Sequence, residues 1–222
     1  MNIARYQNCV YNLFQSGTLE SILSDKEKQI VLEIGSGYDG LAHGIQTILN
    51  EQATYICMDL PELLLFQGAF LKVNNPEKSI YIYNSATLSA EFVSNELQNY
   101  DFILIPNYAL KKLQPLKEIA LAINMQSFQE MTEQQVTEYL RFTSDRVTRY
   151  LYSENVDRAR GNKELRSVSA ILQQYFTLYP SPEWYERIHK GTHKNWGAYY
   201  KKYFGTPIGR QHNLPKNFNF LF

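Results

Sequence analysis

The stretch that most constrains the fold is Val31-Leu32-Glu33-Ile34-Gly35-Ser36-Gly37-Tyr38-Asp39-Gly40. A mostly apolar run stops at two glycines, and Leu41, Ile45, Ile48 and Leu49 come after it at helical spacing. The pattern reads as a strand, a tight turn and a helix starting near Tyr38. Glycines at 35 and 37 permit positive φ and let a ligand approach the backbone closely. The unpaired N–H groups at the start of the helix then face whatever sits over the turn. The spacing Gly35-x-Gly37-x-x-Gly40 matches the dinucleotide fingerprint, a pattern that is weak alone.

Beyond this turn the chain alternates between strand and helix. Strands are expected near 29–34, 53–58, 79–83, 101–105 and 119–125, and helices near 38–49, 61–72 and 87–98. Near-continuous apolar strands between helices argue for a Rossmann-like α/β fold, a parallel sheet covered on both faces. Ligands of such sheets bind at the carboxyl ends of the strands. That rule nominates Gly35-Ser36-Gly37, Asp59-Leu60, Asn84-Ser85, Pro106-Asn107 and Gln126-Ser127. Asp59, at the tip of the second strand, is placed to accept hydrogen bonds from both hydroxyls of a ribose, unless it merely caps. Asn84 and Ser85 stand where an adenine amino group would be bonded; an Asn-Ser turn is the plain alternative.

Around this core the chain divides into residues 1–28, a helical N-terminal segment; 29–157, the Rossmann-like core; and 158–222, which completes the sheet and covers the acceptor side. Ile3, Tyr6, Val10, Leu13 and Phe14 repeat at helical spacing, and Ser16-Gly17 breaks the pattern before a second short helix at 18–24. This segment packs on the core or reaches over the ligand mouth. A helix is expected over 132–147, capped by Thr132, then a strand at Tyr150-Leu151-Tyr152, a basic loop from Arg158 to Lys163 and a helix near 166–176. Beyond lie Trp184, Tyr185, His189, His193, Trp196 and Tyr199-Tyr200 among polar residues.

Composition excludes several classes. Lys plus Arg and Asp plus Glu number 22 each, so no basic excess marks a nucleic-acid partner. No apolar run approaches the ~18 residues of a membrane span, and the polar start is no signal peptide, so a cytoplasmic protein is expected. Cys9 and Cys57 read as buried small hydrophobes, and no tight Asp/His cluster suggests a metal. The 17 tyrosines suggest a ligand-facing or partner-facing surface.

Val31 to Ala42 resembles the first motif of a family of bacterial sugar O-methyltransferases, class I enzymes dependent on S-adenosylmethionine (SAM) and encoded with surface-polysaccharide genes. Asp59-Leu60-Pro61-Glu62, the run Asp101 to Asn107 and the stretch Ile123 to Met131 are similar to that family, as are Tyr139-Leu140 and Tyr152-Ser153-Glu154-Asn155. The likeness spans about residues 29–157, its glycine motif general and its 123–131 stretch more specific. Asp39 stands where the family more often has glycine. Its members often carry a longer N-terminal region, so a lid or dimerisation element, and with it a homodimer, is an open expectation. The resemblance implies a mostly parallel seven-stranded sheet, SAM as cofactor and a sugar or glycan precursor as acceptor.

Glu33 fits that reading, because an acid two residues before the first glycine is typical of SAM enzymes. It would repel a pyrophosphate but favours a cationic ligand, directly or through water; alternatively it ties down the glycine loop. Cofactor contacts are thus expected from Glu33, Gly35, Ser36, Gly37, Asp59, Leu60, Asn84, Ser85 and Asn107, the last nearest the methyl group. A sugar hydroxyl is a poor nucleophile, so a general base is expected. Glu130, just past the fifth strand, is the first candidate, although Ser127-x-x-Glu130 would also organise a helix start. His193 and His189 come next, histidine being suited to accept a proton near neutrality. His43 reads as structural. Two other readings remain: an NAD(P)-dependent oxidoreductase, or an inactive methyltransferase-like binding module. Against the first stands Glu33, at a position where dinucleotide enzymes usually carry an apolar residue.

Overall fold

The computed structural model describes residues 2–159, 161–180 and 200–209. His189, His193, Trp184, Tyr185, Trp196 and Tyr199 lie outside the described residues.

The first strand, β1 (Gln29–Ile34), is buried on both faces. It has parallel neighbours on each side: β2 (Ala53–Asp59) and β5 (Ile119–Met125). Beyond β2 come β4 (Phe102–Pro106) and then β3 (Ile80–Ile82), both parallel. Beyond β5 come β6 (Val147–Val156), parallel, and then β8 (Tyr200–Pro207) and β7 (Phe176–Pro180). β8 runs antiparallel to both of its neighbours. The sheet order is β3-β4-β2-β1-β5-β6-β8-β7.

Among the described residues the sheet has eight strands where seven were expected. β3, expected near 79–83, is only three residues long and lies at the edge, while β7 and β8 fall where no strand was placed from the sequence. The strand that pairs with β2 is therefore β4, not β3. A short edge strand presents few unpaired backbone groups, which limits edge-to-edge pairing.

Helices cover both faces because alternate residues of each strand point to opposite sides. Ile30, Leu32 and Ile34 of β1 face one core, shared with α5 (Ala90–Asn95), α6 (Glu133–Ser144) and α7 (Val168–Leu172). Val31 faces the other core, shared with α1 (Asn2–Gln15), α2 (Thr18–Leu23), α3 (Gly40–Leu49) and α4 (Leu64–Asn74). The N-terminal helices thus pack on the sheet: Cys9, Leu13, Leu19 and Ile22 are fully buried. Cys57 is likewise buried, and both cysteines are free thiols. Among the described residues no helix is long and apolar enough to cross a membrane.

Local chemistry sets the element ends. Thr132 caps α6 through a reciprocal capping box with Gln135, each side chain accepting from the other's backbone N–H at 3.2 and 2.9 Å. Ser89 and Ser167 cap α5 and α7. The loop after β6 is fixed at Asp157, which takes hydrogen bonds from Ser167, the Ser169 backbone and Lys201. Those donors outweigh its partial burial and draw its pKa down to about 2.

Candidate functional site

The carboxyl ends of β1, β2, β4, β5 and β6 lie side by side, and the glycine turn sits at their centre. Gly35 has φ +76° and Gly37 φ +62°, so the turn uses the left-handed region at both glycines. Gly35 donates its N–H to the Met58 carbonyl at 2.7 Å, tying the turn to β2. A Cβ on Gly35 would lie 2.2 Å from both Cβ and Oγ of Ser127, whereas one on Gly37 would meet nothing within 4 Å. The turn is therefore closed on the β5 side at Gly35 and open above Gly37. That opening is a cradle in which a ligand can touch backbone.

Asp59 stands beside it. Its Oδ2 accepts from the Gly37 N–H at 2.6 Å and its Oδ1 from the Leu60 N–H at 2.7 Å. Each oxygen keeps a second lone pair, and the carboxylate is only half-buried. The geometry suits a pair of vicinal hydroxyls laid across the turn. Burial raises the Asp59 pKa, against the pull of the two N–H groups. Leu60 is exposed at the same mouth.

The other nominated residues distribute unevenly. Asn107 comes directly after Pro106, which is the register partner of Asp59, so it lies on the Asp59 side of the glycine turn. Its Oδ1 accepts from the Tyr108 N–H at 2.8 Å. On the opposite side of β1 the adjoining tip belongs to β5, with Gln126 and Ser127. Asn84 and Ser85 are exposed and sit just past the edge strand β3, two strands beyond β2. Asn84 Oδ1 accepts from the Ala86 N–H at 2.9 Å, which is the Asn-Ser turn of the plain alternative. Glu130 is exposed at the end of a 3₁₀ turn, Phe128–Glu130, just past β5. It takes no part in the capping box of α6, and Ser127 spends its hydroxyl on the Ile34 carbonyl at 2.9 Å.

A hydrogen-bonded scaffold under the β5 and β6 tips was not evident in the sequence. Asn124 donates to the Ile34 carbonyl at 2.8 Å and also to Ser127 Oγ. Asn155 donates to Asn124 Oδ1 at 2.7 Å and to Ser153 Oγ at 3.0 Å. Gln129 Oε1 accepts from the Val156 N–H at 2.7 Å. From α1, Arg5 reaches over to Gln126, whose backbone is itself left-handed at φ +59°. The one available sign was a polar residue at the end of a buried strand, Asn124 in Ile119–Met125 and Asn155 in Val147–Val156.

Glu33 lies on the α1–α3 side of the sheet, near enough to Asp39 and Asp59 to feel their charge. It is 1% exposed, and its Oε2 accepts from the Tyr55 hydroxyl on β2 at 2.8 Å rather than from the turn backbone. Burial pushes its pKa well above the ordinary carboxylate value, opposed by the Tyr55 bond and aided by Asp39 and Asp59. Between the unfolded value and that raised value the native state holds more protons than the unfolded one, so stability falls as pH rises. Glu33→Gln keeps an acceptor for Tyr55 and removes the charge. The variant is expected to melt higher than the native chain at pH 8, with the gap closing as pH falls toward ~4, the unfolded glutamate value. Equal melting temperatures at pH 8 would show that Glu33 is not desolvated.

No family model matches the chain, and no curated protein matches it. Solved structures do. The PH0226 protein from Pyrococcus horikoshii is 11% identical with a TM-score of 0.54, covering 86% of this chain and 88% of that one. The DszA carbon methyltransferase is 11% identical with a TM-score of 0.54, over 90% of this chain and 55% of that one. An O-methyltransferase family protein from Burkholderia thailandensis is 8% identical with a TM-score of 0.51, over 93% of this chain and 59% of that one. The chain thus spans little more than half the length of the last two. The likeness is one of fold: a Rossmann-like methyltransferase fold with a mostly parallel sheet.

Proposed function

We propose that the chain is a SAM-dependent O-methyltransferase acting on a hydroxyl of a sugar or glycan precursor. The observation that carries the cofactor assignment is the Gly37–Asp59 contact at adjoining strand tips, with open space above Gly37. The oxidoreductase alternative is disfavoured by topology. Dinucleotide-binding sheets are built from two parallel halves in the order 3-2-1-4-5-6. Here β7 and β8 instead insert an antiparallel strand beside β6. The sugar acceptor rests on the sequence resemblance alone, since one structural neighbour is a carbon methyltransferase.

Bound SAM would supply an electrophilic methyl group on a sulfonium. The residues of this chain bind, orient and take up a proton. Asp59 receives the ribose hydroxyls, and Gly35 to Gly37 carry the backbone face on which the ligand lies. Ser127, wedged against Gly35, closes the β5 side of the turn. Positioning of the acceptor oxygen in line with the departing sulfur supplies much of the acceleration. A cofactor held there would give its methyl group to the acceptor oxygen and leave with its sulfur neutral, while a base of this chain would take the hydroxyl proton. Glu130, exposed beside the β5 tip, is the base we assign within the described residues.

Calorimetric titration with S-adenosylhomocysteine, with NAD and NADP alongside, tests the class. Micromolar binding of the homocysteine product alone is the expected result; binding of a nicotinamide cofactor instead would overturn it. Binding without turnover on any sugar acceptor would favour the inactive-module reading. Glu130→Gln is expected to lower turnover by ~10²-fold or more, the usual contribution of a general base, with affinity for the product unchanged. Full activity in that variant would remove Glu130 from the mechanism.

A further inference from the structure

Directly under the glycine turn, two buried side chains hold oxygens that no described residue satisfies by a hydrogen bond. Asp39 is fully buried at the start of α3, in the left-handed region at φ +66°, and its side chain does not cap the helix. Neither carboxylate oxygen has a hydrogen-bond partner among the described residues. The Ser36 hydroxyl and Cys57 thiol lie beside it, in reach to favour its charge but outside hydrogen-bonding geometry. Gln67 of α4 provides a second, independent observation. It is fully buried, and its Nε2 is anchored to Ser36 Oγ at 3.0 Å and to the Gly37 carbonyl at 2.7 Å. The Oε1 of that same amide, whose nitrogen bonds Ser36, is also buried and has no partner among the described residues.

Such an arrangement is costly unless something fills it. The N-terminus of α3 supplies only about half a positive charge, while Glu33 adds a second buried carboxyl that interacts with Asp39. Among the described residues no Lys or Arg is named among the groups acting on Asp39. A water could donate to both Asp39 and Gln67 Oε1, but it would leave the charge uncompensated. We propose that Asp39, Gln67 Oε1 and the Ser36 hydroxyl form a binding site for a monovalent alkali cation beneath the glycine turn.

The donor set selects that class. All three groups are hard oxygen ligands, which suits alkali and alkaline-earth ions rather than thiophilic metals. Divalent ions need six or more well-placed oxygens, and among the described residues no three His, Cys, Asp or Glu side chains converge on a metal-sized site. Full burial of Asp39 also disfavours the ammonium group of a larger ligand, which could not reach it without opening the turn. The ion would brace Ser36 and, through Gln67, the Gly37 carbonyl. It would thereby stiffen the cradle whatever ligand the cradle takes, so the site stands apart from the assignment of SAM.

The test is thermal unfolding of the chain at pH 8 and constant ionic strength in sodium, potassium or choline chloride. Sodium or potassium is expected to raise the melting temperature by about 3–6 °C over choline, saturably, as for an ion bound only by the native state. Asp39→Asn, which tolerates the left-handed backbone, should abolish that difference, and Glu118→Gln, at an exposed position, should keep it. A crystal grown in rubidium chloride should show an anomalous peak between Asp39 and Gln67. Equal melting in all three salts, or a cation effect that survives Asp39→Asn, overturns the site and leaves a proton or a water beneath the turn.

Discussion

Gly35→Ala is expected to lower the melting temperature by about 6–12 °C, the loss of about 3 kcal/mol in a domain of this size. Two costs combine. A side chain at φ +76° pays about 1–2 kcal/mol for the left-handed conformation. The new methyl would also sit 2.2 Å from Ser127, far inside contact distance. Ser127 cannot simply rotate away, because its hydroxyl bonds the Ile34 carbonyl at 2.9 Å and accepts from Asn124. Displacing it breaks about two hydrogen bonds, each worth roughly 1 kcal/mol. Asn124 is itself tied to Asn155 at 2.7 Å, so the disturbance reaches β6. The check is a double-mutant cycle: Ser127→Gly alone gives up the hydroxyl's bonds, and in that background Gly35→Ala should cost only the backbone strain. Gly37→Ala, with φ +62° but open space, should cost only the backbone part. If Gly35→Ala melts within 2 °C of the native chain, the Gly35–Ser127 contact is wrong.

That contrast between two glycines also shows how far the sequence was legible. Both were marked as turn residues by the local pattern, and the pattern was right about strand, turn and helix: β1 is Gln29–Ile34 and α3 begins at Gly40. Local periodicity reports local structure well, and the apolar strands gave the parallel core. What separates Gly35 from Gly37 is Ser127, more than ninety positions away in the chain, and nothing local records that contact. Strand order was hidden for the same reason. The run around Ile80 looks like a core strand from its own residues, yet β4 takes the place beside β2, and Asn84 and Ser85 go with β3 to the edge. Asn107 consequently lies beside Asp59, and the tip across the glycine turn is Gln126–Ser127.

Glu33 illustrates a subtler limit. Its identity and spacing pointed to a functional acid; what they did not reveal is that alternation along β1 sets its side chain on the α1–α3 side of the sheet, with Tyr55 as its hydrogen-bond donor. A strand residue one position away would face the other layer. Asp39 was noticed only as a departure from glycine; its burial without partners results from the α3 and α4 packing around Ser36 and Gln67. The capping pair of α6 was half legible. Thr132 was evident, while its partner is Gln135, which leaves Glu130 free of that duty.

Asp59→Ala is expected to weaken S-adenosylhomocysteine binding by about 1–3 kcal/mol, or roughly 5- to 150-fold. The loss has two sources that can be separated. One is the pair of ribose hydroxyls left without an acceptor. The other is the turn itself, because Asp59 accepts from the Gly37 and Leu60 N–H groups at 2.6 and 2.7 Å. Asp59→Asn retains one oxygen acceptor and should hold part of the turn, so it should bind more tightly than the alanine variant. Burial raises the Asp59 pKa, so its protonation begins at a higher pH than for an exposed aspartate. A protonated carboxyl has one acceptor fewer, and affinity in the native chain should therefore fall as pH drops through that raised value. The alanine variant should lack this pH dependence. Melting curves of both variants, taken without ligand, keep the binding loss distinct from unfolding. Unchanged affinity in a folded Asp59→Ala chain would move the ligand away from the glycine turn.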